Sequence, residues 1–136
     1  MILLDHIDAI GRRLQRAVLY LEFHPLDVAR CAAYRFDQDA GRDHILQWLD
    51  MQNIAWRACG PIASINGIAP YRGQVYLDVR YDETVPAYRL LRETLEHPDG
   101  TMKYAWVRFM VLPLDYAMHN AAHDVPGFWE DWAAEF

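Results

Sequence analysis

The stretch Gln74-Val75-Tyr76-Leu77-Asp78-Val79-Arg80-Tyr81 decides the fold. Its strict alternation is that of a half-buried β-strand, with Val75, Leu77, Val79 and Tyr81 on one side and Gln74, Tyr76, Asp78 and Arg80 on the other. A second run, Lys103 to Leu112, repeats the pattern with Ala105, Val107, Phe109 and Val111 inside and Tyr104, Trp106, Arg108 and Met110 outside. Both outer rows mix aromatic rings with arginine. Such a face is either roofed by another part of the chain or offered to a partner.

Between these strands the sequence predicts a helix from about Val85 to His97, with Thr84 as its cap and Pro86 in the first turn, where a missing N–H costs little. Pro98-Asp99-Gly100 stops it. On the N-terminal side, Ile54 to Cys59 reads as a strand interrupted by Gly60-Pro61, and Asn66-Gly67 between Ile65 and Ile68 is a hairpin-turn signal. Earlier still, residues 28–36 read as a strand. A helix capped by Asp37 or Asp39 follows to about Gln52, burying Ile45, Leu46, Trp48 and Leu49.

From Val28 to Leu112 the order is therefore strand, helix, strand, strand, helix, strand. This predicts an α+β domain with the ferredoxin-like split βαβ (βαββαβ) antiparallel sheet, two helices covering one face. An N-terminal amphipathic helix (1–24) and a C-terminal aromatic helical tail (113–136) are additions to one domain spanning 1–136. Leu3, Ile7, Ile10, Leu14, Val18 and Leu21 form the stripe of the added helix; its last part, Ala17 to Phe23, has a strand as the alternative reading, because a short apolar run is not assigned by period alone. In the tail, Phe128, Trp132 and Phe136 fall four apart.

The chain has 136 residues, of which 53% are hydrophobic, enough to bury about two thirds of the unfolded surface. The opening Met-Ile-Leu-Leu runs straight into Asp5, His6 and Asp8, without the basic and long apolar regions of an export signal, so a soluble cytoplasmic protein with no membrane association is expected. Cys31 and Cys59 lie in apolar surroundings and read as inert core thiols. The formal net charge of -6 repels a phosphate backbone and makes nucleic acid an unlikely partner. Arg72-Gly73-Gln74-Val75-Tyr76 follows the ribonucleoprotein motif of RNA-recognition sheets only in part: an aromatic is missing at Gln74 and a small residue at Val75.

Catalytic signatures are incomplete. Ser64 is the only serine and lacks a nucleophile-elbow context, and no glycine-rich phosphate loop occurs. Asp115, His119 and His123, at i, i+4 and i+8 of a helix over residues 115–123, would share one face and suit a divalent transition metal such as zinc, with Glu130 or His24 as a further ligand. The general-base glutamate of the His-Glu-x-x-His pattern is absent. This defines the alternative expectation of a metal-dependent or small-ligand-binding enzyme.

The preferred expectation is a small acidic protein-binding domain of inhibitor, immunity or adaptor type, without cofactor or catalytic residues. Its partner would be another protein, one carrying basic charge, met by Tyr76, Arg80, Tyr104, Trp106 and Arg108, with Arg35 or Arg57 beside them. Self-association into a homodimer through an open sheet face or edge fits either expectation.

Overall fold

The computed structural model describes residues 5–23, 39–60 and 73–128. Along the chain these form α1 (Ile7–Leu14), β1 (Val18–Phe23), α2 (Ala40–Met51), β2 (Trp56–Ala58), β3 (Val75–Leu77), α3 (Pro86–Leu95), β4 (Val107–Leu112) and α4 (Leu114–Ala117), which continues as a 3-10 helix, Met118–Asp124. The fold is α+β, and the described residues contain a four-stranded antiparallel sheet in the order β2-β3-β1-β4 and four α-helices.

The first helix is shorter than its apolar stripe implies. Gln15 takes the left-handed conformation (φ 54°, ψ 46°) and closes α1, its N–H donating to the Gly11 carbonyl. The apolar residues beyond it then serve a strand. Val18, Leu19, Tyr20, Leu21 and Phe23 are all buried because β1 lies between β3 and β4 and both of its faces are covered. A continuous apolar run is what a strand buried on two faces requires, and it mimics helical periodicity by accident. The strand expected at residues 28–36, the Asn66-Gly67 turn and the aromatic tail from Trp129 onward lie outside the described residues.

The sheet has a core on each side. Leu19, Leu21, Phe23, Val75, Leu77 and Val107 pack with Ile45, Leu46 and Leu49 of α2 and with Tyr88, Leu91 and Leu95 of α3. On the opposite face, Val18, Tyr20, Tyr76 and Leu112 pack with Ile7 and Ile10 of α1, Ala117 of α4 and Cys59. Period-2 alternation sorts neighbouring residues between the two cores, so Tyr76 faces α1 while Val75 and Leu77 face α2 and α3.

Local chemistry fixes the helix ends. Asp39 caps α2, accepting from the N–H groups of Gly41 (2.9 Å) and Arg42 (3.2 Å), as expected for one of the two candidate caps. Thr84 does not cap α3. The N-cap is Val85, with Pro86 at the first helical position, and Thr84 donates its N–H (2.9 Å) and its hydroxyl (2.8 Å) to Asp82 in the preceding turn. Among the described residues no helix is long and apolar enough to cross a membrane.

Candidate functional site

The α1 face of the sheet carries the most concentrated polar chemistry. Asp8 and Arg12 stand one turn apart on α1, on the side turned inward, and both are buried. Arg12 Nη1 donates to Asp8 Oδ2 (2.9 Å) and to the Ala117 carbonyl (3.1 Å), while its Nε and Nη2 bind Asp124 Oδ2 (2.8 Å) and Oδ1 (3.0 Å). Asn120 Nδ2 donates to Asp8 Oδ2 as well (2.8 Å). One guanidinium thus joins two carboxylates and a helix-terminal carbonyl, in the two-pronged geometry that arginine supplies and lysine does not.

His6 and His123 border this cluster. Burial pushes the His6 imidazole below its ordinary pKa, opposed by Asp8 and reinforced by His123 and Arg12. His123 is buried, its ring 4.6 Å from that of Phe128. Asp8 has no solvent-exposed surface, so a substrate cannot reach it, and the cluster acts as a clamp holding the segment after α4 onto α1.

A second centre lies at the other end of α1. Arg16 Nη2 donates to the Tyr76 hydroxyl (3.1 Å) and to Asp78 Oδ1 (2.9 Å), and the Tyr76 hydroxyl donates to the same Asp78 oxygen (3.0 Å). Burial raises the Tyr76 pKa, and the Asp78 carboxylate adds to the rise against the opposing Arg16, which keeps the phenol protonated as a donor. Arg57, paired with Tyr76 in register across β2 and β3, places its guanidinium carbon 5.3 Å from the Tyr76 ring centroid.

These positions revise the expected sites. Tyr76 is only 3% exposed and is roofed by α1, so it is not an outer contact for a partner. Trp106 precedes β4 in a turn, which breaks the alternation, and its ring packs against the α2/α3 core beside Gly41. Tyr104 is 42% exposed, with its ring 5.4 Å from that of Trp106. Arg80 and Arg108 are exposed, and Arg108 stands opposite Glu22 in the β1/β4 register.

The expected stack of Asp115, His119 and His123 does not form. The α-helix gives way to a 3-10 helix after Ala117, so the three side chains do not follow the one-turn spacing of a continuous α-helix. Asp115 is exposed and accepts from the Tyr116 N–H (2.9 Å), exposed His119 lies against Tyr116, and His123 is buried against Phe128. No group of three or more His, Cys, Asp or Glu side chains among the described residues is placed to hold a metal ion.

The clamp was missed because its members are 112 positions apart in sequence. The one local signal was the i, i+4 pairing of Asp8 with Arg12 on the apolar side of α1. Away from this face, an open cleft of about 540 Å³ is lined by Arg92, Glu93, Glu96, His97 and Lys103. Lys103 Nζ there donates to the Glu93 carbonyl (2.7 Å), so this lysine secures the C-terminal turn of α3.

Comparison with protein-family models, with curated proteins and with solved structures finds no significant match.

Proposed function

We propose that this chain is a cytoplasmic protein-binding domain of inhibitor, immunity or adaptor type that meets its partner through Tyr104 and Trp106, with Arg108 and Arg80 as accessory cations. The observation that carries this reading is the preorganised aromatic pair. Trp106 is wedged against the first turn of α2 at Gly41, and Tyr104 lies beside it with a large exposed surface. Rigid aromatics lose little conformational freedom on binding, which is why tyrosine, tryptophan and arginine dominate interface energetics.

The ferredoxin-like split βαβ plan belongs to the same proposal. It is supported by the chain order β1, α2, β2, β3, α3, β4, with α1 and the C-terminal segment as additions. Covering of the second face by α1 removes Tyr76 from the interface and directs recognition to the periphery, where Tyr104 sits. The net charge of -6 favours encounter with a partner of basic charge. A homodimer through the β4 edge is compatible with this reading.

The test is a binding measurement on a partner isolated from the native host and then purified. Tyr104→Ala should weaken binding by about tenfold or more while leaving the thermal midpoint nearly unchanged, since tyrosine hot spots exceed ~2 kcal/mol. Unchanged affinity in Tyr104→Ala and in Arg108→Glu would remove this surface from the interface.

A further inference from the structure

Arg16 and Arg57 hold Tyr76 from two sides, one at the phenol hydroxyl and one over the ring face. Their donors are largely unspent. Arg16 spends Nη2 on Tyr76 and Asp78, whereas its Nε is buried with no hydrogen-bond partner and its Nη1 donates no hydrogen bond among the described residues. Arg57 is exposed and, among the described residues, its side chain makes neither hydrogen bond nor ion pair and lies over the Tyr76 ring.

The local charge is equally incomplete. Among the described residues Arg16 pairs with the Asp78 carboxylate, whereas the Arg57 guanidinium has no carboxylate in ion-pair contact. Positioning is already provided, because the hydrogen bonds to Tyr76 and Asp78 hold Arg16 in place and stacking restrains Arg57. Preorganised guanidinium forks of this kind are suited to planar oxyanions, and one carboxylate would pair the Arg57 charge.

We propose that Arg16 and Arg57, brought together on Tyr76, form a binding site for a carboxylate group. The carboxylate belongs either to a free organic acid or to an acidic side chain or C-terminus of a bound polypeptide, and the two sources share the same recognition chemistry. The site is separate from the Tyr104–Trp106 surface, and its test uses no protein partner, so either proposal can fail while the other stands.

Acetate, succinate and a short glutamate-containing peptide are titrated into the full chain, followed by NMR and thermal shift, against chloride at equal ionic strength. A saturable response to acetate or succinate identifies a free acid as sufficient. Response to the peptide alone assigns the site to polypeptide carboxylates. Arg57→Gln, at an exposed position and with its thermal midpoint checked without ligand, should weaken the response about tenfold, as expected for loss of a charge-assisted contact, and Arg57→Lys should restore part of it. The proposal is overturned if no carboxylate exceeds chloride, if Arg57→Gln responds like the wild type, or if inorganic phosphate binds more tightly than every carboxylate.

Discussion

Arg12 and Asp124, 112 positions apart, meet through two parallel bonds, Nε to Oδ2 at 2.8 Å and Nη2 to Oδ1 at 3.0 Å. The same guanidinium binds Asp8 at 2.9 Å, so one side chain of the first helix anchors the segment that follows the last strand. Asp124 is half-exposed while Asp8 is wholly buried. The two halves of the clamp therefore differ in energetic weight, because solvent screens the outer pair and not the inner one.

Arg12→Met should destabilise the fold by about 3–5 kcal/mol, since it leaves the Asp8 carboxylate buried without its cation. Asp124→Asn should cost about 1 kcal/mol or less, as its partner retains Asp8 and the lost charge is partly hydrated. Urea unfolding of both variants measures the difference. Equal losses would show that burial does not set the hierarchy.

Gly41→Ala should lower stability by about 1–3 kcal/mol through overpacking. A Cβ at this position would lie 2.9 Å from Trp106 Cζ3, and the indole is backed by the main core and has little room to retreat. Displacement of the ring should also change tryptophan fluorescence. A variant with wild-type stability and spectrum would mean that Trp106 is loosely held.

Stability should fall on mild acidification through His6. Burial holds the folded-state imidazole below its ordinary value of 6.5, so in the window just under pH 6.5 the unfolded chain binds a proton that the folded chain does not. The contribution is complete above pH 6.5 and is lost as the pH falls toward the folded-state pKa. In His6→Gln the unfolding free energy should vary less between pH 7.5 and 5.5, and an undiminished slope would assign the effect to other groups.

Cys59 should resist alkylation in the native state at pH 8. The side chain is fully buried and burial pushes its thiol pKa up to about 12, so the reactive thiolate is scarce. Iodoacetamide labelling with peptide mapping should modify Cys59 only after denaturant is added. Rapid native labelling at this residue would indicate local opening of the core beneath α1.

The local punctuation was legible in the sequence. Asp39 caps α2, Pro86 opens α3, and the alternation of Val75, Tyr76 and Leu77 assigns those side chains correctly to opposite faces, because caps and pleats depend on neighbours in the chain. The same alternation misplaced Trp106, since the turn before Val107 puts it on the same core as the strand's first residue. Periodicity also failed at Leu14, where the stripe continues but the backbone reverses at Gln15.

The sequence by itself determined the α+β class, most element types and the set of apolar residues that needed burial. Tertiary structure decided what covers each face. Whether Tyr76 meets solvent depends on α1 lying across the sheet, and whether Arg12 is a surface cation or a buried clamp depends on Asp124 arriving from the far end of the chain. Propensity and pattern act over a few residues, whereas burial of a charge becomes tolerable only when distant partners supply its hydrogen bonds, and such partners carry no periodic signal.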